Sequence, residues 1–195
     1  MPPLYEQLRP ISFKEIAGQD HIVSDKGILY RIINSKKPIS ILLVGPPGSG
    51  KTTIARLYSK AFGSNFKTLN ASFSGISDIK KIIFEIKKTP LFNKIIFVDE
   101  IHRFNKAKQD VFLPYLEDGS IVLVGATTEN PSFSINNALL SRFTLLTLHS
   151  LSLKDLNKII KQYEKNFKPL PLGDDEKKYL IKISNGDGRY LTFQS

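Results

Sequence analysis

The chain is 195 residues long, 41% hydrophobic and 10% aromatic, which is enough for one α/β domain and part of a second and excludes a disordered polymer. It holds no cysteine, so disulfides and thiolate metal sites are excluded, and His21, His102 and His149 are too scattered in sequence to read as a metal cluster. No apolar run approaches the roughly 18–20 residues of a membrane span, and MPPLYEQLRP lacks the layout of a secretory signal, so a soluble cytoplasmic protein is expected. The net charge of +10 favours a polyanionic partner such as nucleic acid, although lysines spread over solvated faces would give the same total.

Short apolar runs alternate with helical patterns, the signature of a parallel sheet covered by helices. In chain order the predicted strands are Ile39–Val44, Phe66–Leu69, Lys94–Val98, Ile121–Gly125 and Phe143–Leu148. Three of them carry the near-continuous runs ILLV, IIFV and IVLV, as strands buried on both faces do. Between them, residues 51–62 place Ile54, Leu57, Tyr58 and Ala61 on one helix face and stop at Gly63. Further helices are predicted over 77–88 and 106–117, the second bent or interrupted at Pro114. After Leu148 the pattern becomes wholly helical. Ser152 and Asp155 form a capping box for a helix with Leu153, Leu156, Ile160, Tyr163 and Phe167 on one stripe. A second helix is predicted over about 174–184, closed by Asn185-Gly186, and a third element begins at Gly188-Arg189. The division expected is a P-loop core over 1–149 and the start of an all-helical lid over 150–195.

Gly45-Pro46-Pro47-Gly48-Ser49-Gly50-Lys51-Thr52 fits G-x-x-x-x-G-K-[ST] between a buried strand and an amphipathic helix, with Thr53 in that helix's first turn. Glycines there let backbone N–H groups turn inward around phosphates, aided by the helix dipole. Lys51 is placed to reach the β- and γ-phosphates of ATP, and the Thr52 hydroxyl to ligate Mg²⁺. About fifty residues on, Ile95-Ile-Phe-Val-Asp99-Glu100 puts two carboxylates at a strand end. Asp99 would hold the magnesium through its water shell, and Glu100 would polarise the attacking water as general base. The next strand ends in Gly125-Ala-Thr127-Thr128, where a hydroxyl can meet the γ-phosphate or the water.

GPPGSGKT, FVDE, the strand-end threonine and the arginine of LLSRF together resemble the AAA+ ATPases. DEIHRFNKAKQDVFLPYLEDGSIVLVGATTENPSF and RPISFKEIAGQDHI resemble, more narrowly, the replication-associated recombination protein A (RarA/MgsA) family and its eukaryotic relative, the Werner-helicase-interacting ATPase. The resemblance covers residues 4–190 and implies a DNA-stimulated ATPase of replication-fork maintenance, recombination and repair. It implies Thr128 as sensor 1 with Thr127 as the fallback, and Arg142 as an arginine finger reaching a neighbouring subunit's ATP, hence a homo-oligomer. It implies Arg189 as sensor 2, and Arg9, Pro10, Ile16, Ala17 and Gly18 near the adenine. Its DNA partners would be ends and single-strand/double-strand junctions, with replication proteins as further partners. Lys106 and Lys108 could face that DNA or simply begin a solvated helix.

The sequence departs from the family at Gly188, where alanine is usual and where glycine is expected to loosen the helix start by up to about 1 kcal/mol. Ser49 stands for the usual threonine, and Thr192 and Phe193 stand where leucine and asparagine are expected. The rest of the lid and the C-terminal domain through which the family forms tetramers are expected to be missing. Two other readings stay open: a clamp-loader or RuvB-like subunit, and a nucleotide-gated DNA-binding module with little turnover.

Overall fold

The computed structural model describes residues 4–64, 66–88, 94–167 and 169–193; the ends of the predicted domains at 1–3 and 194–195 lie outside the described residues. An N-terminal arm of short helices, α1 (Leu4–Gln7), a 3-10 turn (Phe13–Glu15), α2 (Asp20–Val23) and α3 (Ile28–Asn34), precedes β1 (Ile41–Val44). Then come α4 (Lys51–Ala61), β2 (Lys67–Asn70), α5 (Ile76–Lys87), β3 (Ile95–Asp99) and a 3-10 turn (Ile101–Arg103). Helices α6 (Lys106–Asp110) and α7 (Leu113–Glu117) lead to β4 (Val122–Thr127), followed by α8 (Pro131–Ser134), α9 (Asn137–Leu140) and β5 (Thr144–Thr147). Three helices end the chain: α10 (Leu153–Asn166), α11 (Asp174–Ile183) and α12 (Gly188–Phe193). No helix among the described residues is long and apolar enough to cross a membrane.

The five strands form one parallel sheet in the order β2-β3-β4-β1-β5. Alternate residues of the apolar runs face opposite layers, which is why those runs must be hydrophobic throughout. Ile41, Leu43, Phe97 and Val124 pack with Ile54 and Tyr58 of α4 and with Leu29 of α3. Leu42, Ile96, Val98 and Leu123 pack on the other face with Ile79 and Ile83 of α5 and with Phe104 and Phe112. A third, separate cluster joins Leu151, Leu156, Ile160, Leu180, Ile181 and Leu191 within α10–α12 and the segment that leads into them.

Strand boundaries shift by one or two residues from expectation for local reasons. Ile39 is predicted to begin β1, but both its backbone groups bond the buried Tyr58 hydroxyl at 2.9 Å, so the ladder starts later. Strand β4 runs two residues further than predicted, because the Gly45 N–H donates to the Thr127 carbonyl at 3.1 Å. The helix predicted over 106–117 is two helices, with Pro114 in the first turn of α7, where its missing N–H costs no intrahelical bond. Ala61 is exposed and Phe62 takes the buried place expected of it, while Leu153, assigned to the buried stripe of α10, is 67% exposed. Leu153 is the first helical residue, and its side chain falls beyond the edge of the lid's cluster. The Ser152–Asp155 capping box forms as read, and α4 ends just before Gly63, which adopts left-handed backbone (φ 65°).

Candidate active site

Strand register brings the site together. Val44 pairs with Thr127 and Asn70 with Asp99, so the start of the glycine loop, the first carboxylate and the end of β4 lie along the carboxyl edge of the sheet. Gly48 (φ 67°) and Gly50 (φ 100°) adopt left-handed backbone that side chains rarely tolerate, and Gly50 caps α4. The buried Ser49 hydroxyl donates to the Pro46 carbonyl at 2.8 Å, closing the loop on itself. The Lys51 ammonium donates to the carbonyls of Gly45 (2.7 Å) and Pro46 (2.8 Å). Burial lowers its pKa to about 8, an effect that the neighbouring Asp99 opposes and Arg189 reinforces.

Asp99 ends β3 with its carboxyl pKa raised by burial, against the opposing bond from the Glu100 N–H, and Lys51 and Arg189 also favour its charged form. Glu100 sits in left-handed backbone (φ 53°), which turns its side chain off the strand. Its carboxylate accepts from the Ser72 hydroxyl at 3.1 Å and pairs with the Arg103 Nε at 2.9 Å. Of the two threonines after β4, Thr127 is 1% exposed, with its hydroxyl oxygen 3.0 Å from His102 Nδ1 and accepting the Glu129 N–H at 3.0 Å. Thr128 is exposed.

These groups face one cleft of about 470 Å³. Of the residues singled out from sequence, Pro47, Gly48, Ser49, Gly50, Lys51, Thr52, Thr53, Asp99, Glu100, Thr127 and Thr128 line it, and so do Arg9, Pro10, Ile16, Ala17 and Arg189. Four do not. Gly45 and Pro46 lie behind the loop, and their carbonyls hold Lys51. Gly18 turns in left-handed backbone against the lid, where a Cβ would meet Asp155 Oδ2 at 3.0 Å. Arg142 lies between α9 and β5, where its guanidinium bonds the Ala138 carbonyl and the Glu117 carboxylate.

The arm and the lid close the cleft together. Lys158 and Gln162 of α10 donate to the carbonyls of Ile16 (3.1 Å) and Glu15 (3.0 Å), pinning the 3-10 turn of the arm. The Gly188 N–H donates to the Gly48 carbonyl at 3.3 Å. Asp187 caps α12 by accepting from the N–H groups of Arg189 (2.7 Å) and Tyr190 (3.2 Å). Gly188 therefore does more than loosen a helix start: a Cβ there would lie 2.9 Å from Leu151 Cδ1, so its small size serves the close packing of lid on loop.

Several contributors escape a reading by motif. Gln19 is buried in left-handed backbone, where its amide donates to the His149 carbonyl at 2.7 Å and accepts the His149 N–H at 3.0 Å. Its amide also reaches the Ser49 carbonyl at 3.4 Å, tying the arm to the loop and to the end of β5. Only a polar residue beside Gly18 hints at this. Asp187 was within reach, since an aspartate one place before a helix is a standard cap. Asn70, Leu151, Ile159 and Gln162 line the cleft without any sequence signal.

Oxygen donors at Thr52 and Asp99, a lysine, and the left-handed glycines Gly48 and Gly50 lining the cleft fit a nucleotide polyphosphate with a hard cation. Such a cleft, at the carboxyl ends of parallel strands, makes the chain a P-loop nucleotide-binding protein with the AAA+ fold. It belongs to the family of the Holliday junction DNA helicase RuvB P-loop domain, whose pattern matches residues 8–153. Over 193 residues the chain is 38% identical to replication-associated recombination protein A of Coxiella burnetii, covering 96% of this chain and 44% of that protein. It is 40% identical to ATPase WRNIP1 of Dictyostelium discoideum, again over 96% of this chain but 22% of the relative. The resemblance read from the HRFNK and ATTENPSF segments is thus matched by these relatives, of whose length the chain spans less than half. The structure superposes on the Thermotoga maritima RuvB Holliday junction branch migration motor with a TM-score of 0.78 at 29% identity, over 95% of this chain and 63% of that one.

Proposed function

We propose that the chain carries the core and helical lid segment of a Mg-ATP-hydrolysing AAA+ ATPase that acts on DNA in the cytoplasm, in replication-fork maintenance, recombination and repair. The convergence of Lys51, Asp99, Glu100, Thr128 and Arg189 on one cleft carries the reading. Lys51 and the loop N–H groups would bind the phosphates, and Thr52 with Asp99 would hold magnesium, which supplies positive charge at the phosphate oxygens. The Glu100 carboxylate would accept the proton of the attacking water once it turns from Ser72 and Arg103. Thr128 would orient that water or the γ-phosphate as sensor 1, its exposed side chain favouring it over the buried Thr127.

Arg142 would act in trans in a homo-oligomer. What supports this is its place outside its own chain's cleft, while Arg189 of the lid lines it as sensor 2 would. The net charge of +10 supports a DNA partner. The division proposed is a core over 1–149 and a helical lid segment over 150–195, which the separate cluster within α10–α12 supports. The family match also keeps a RuvB-like junction motor in view, which unwinding of four-way junctions would favour over fork maintenance.

The test is an ATPase titration with rising protein concentration, with and without forked DNA, beside a Glu100→Gln variant. Turnover per chain that rises with concentration supports the arginine in trans. Glu100→Gln should bind ATP normally and turn it over roughly 100-fold more slowly. Normal turnover by that variant would remove Glu100 as the base.

A further inference from the structure

His102 follows the paired carboxylates by two residues, in the 3-10 turn Ile101–Arg103, and its side chain is only 8% exposed. It faces the last residue of the neighbouring strand, with Nδ1 3.0 Å from the Thr127 hydroxyl. Thr127 is itself committed: its oxygen accepts the Glu129 N–H at 3.0 Å, a two-residue bond that closes a turn around Thr128. On the other side of the ring, Nε2 lies 3.7 Å from the Glu129 carboxylate. The Thr127 hydroxyl can also turn its own hydrogen toward the Glu129 carbonyl at 3.5 Å, so it shares one hydrogen bond with Nδ1 whichever tautomer the ring takes.

We infer that His102 is a positioning residue, a strut from the segment carrying Asp99 and Glu100 to the end of β4 that fixes the Thr127–Glu129 turn and presents the Thr128 hydroxyl to the cleft. This rests on the ATPase reading above and assigns a role to a histidine that is not among the residues lining the cleft. The site depends on such a strut because Glu100 and Thr128 stand on different strands, beyond the last ladder bonds. Displacement of a catalytic group by even about 1 Å can cost roughly 100-fold in rate. Thr127, with its oxygen occupied on both sides, is the anchor of the turn, and Thr128 is the group it delivers.

Two substitutions separate this role from bulk packing. His102→Asn keeps a polar atom where Nδ1 stands, whereas His102→Gln moves it to the position of Nε2 and leaves Thr127 without its bond. The Gln variant should lose roughly tenfold in kcat with ATP affinity within about twofold, while the Asn variant stays within about threefold of wild type. Hydrogen exchange at the Glu129 amide should quicken about tenfold in the Gln variant and hardly at all in the Asn variant. Thr127→Val removes both bonds of that hydroxyl, the one from the Glu129 N–H included, so it should lower kcat at least as much as His102→Gln, and His102→Gln should add little to it. If the Gln variant fails to fold, Thr127→Val carries the same comparison. Equal behaviour of Asn and Gln, additive losses in the double variant, or a loss of ATP affinity matching that of kcat would overturn the assignment. Absence of turnover in the wild-type chain would instead remove the ATPase reading, and exchange at Glu129 would still decide whether His102 holds the turn.

Discussion

Lys51, Asp99 and Thr128 reach the cleft from the carboxyl edge of the sheet, whereas Arg189 reaches it from α12 of the lid, and different forces hold the two approaches. The edge stands on strands buried on both faces, where each fully buried Leu, Ile or Phe contributes about 1.5–3 kcal/mol. The lid has its own smaller cluster and meets the glycine loop through Gly188, Asp187 and a single backbone bond of 3.3 Å to Gly48. Further ties run through the arm, at Lys158 and Gln162. Chemistry placed on the edge is thus held by the fold, and chemistry placed on the lid is held by a few contacts at glycines. A lid that responds to phosphate, as proposed for Arg189, would need the second arrangement.

The largest effect should come from the edge. Lys51→Ala is expected to weaken ATP binding by at least about 100-fold, through loss of a charge-assisted contact to phosphate. The lysine's pKa of about 8 adds a pH signature. Below that value the free protein already carries the proton that phosphate binding requires. Above it, binding must take up a proton, so wild-type affinity should fall by up to tenfold per unit. Calorimetric titrations from pH 7 to 9 read both effects. Affinity that stays flat across that range, or survives the substitution, would show that the edge is not where binding is decided.

Gly48→Ala acts where edge and lid touch and should have the intermediate effect. The new methyl group would lie 1.8 Å from Asp187 Oδ1 and 2.8 Å from its Cα, in left-handed backbone. The loop would be strained by about 1–3 kcal/mol unless α12 withdraws. Hydrogen exchange should therefore quicken at Arg189 and Tyr190, whose amides Asp187 caps, while β1, β3 and β4 keep their protection. Loosening of the strands instead would break the contrast between a fixed edge and a yielding lid.

How far this was legible follows the same division. The glycine loop, the carboxylate pair and the strands are local in sequence, so residue type and spacing expose them, and the sheet assembles from runs that must be apolar throughout. Partners of Gln19 lie 130 residues away at His149, and nothing in the spacing could join them. In sequence His102 reads only as one of three scattered histidines until β4 brings Thr127 against it. The short helices of the arm are a single turn or two, below the length at which periodicity shows. Arg142 is the intermediate case: its motif marks it, while the use proposed for it would depend on a second copy of the chain.

Gly188→Ala should have the smallest effect and probes the lid's side of the contact alone. Sequence reasoning assigns glycine a cost of up to about 1 kcal/mol at a helix start, so alanine would be expected to stabilise α12 by that amount. The structure sets a second consequence against it. The added methyl group would lie 2.9 Å from Leu151 Cδ1, 3.1 Å from Ile159 Cδ1 and 3.3 Å from the Gly48 carbonyl. Two of these atoms are ends of flexible side chains that can turn aside, and the carbonyl is near the limit of ordinary contact. The two effects should nearly cancel, leaving stability within about 0.5 kcal/mol of wild type by chemical denaturation. A gain near 1 kcal/mol would mean that the lid yields to the methyl group without cost and that its seat on the loop is loose. A loss matching that of Gly48→Ala would mean the opposite, a lid packed as firmly as the sheet, and the division between fixed edge and yielding lid would have to be abandoned.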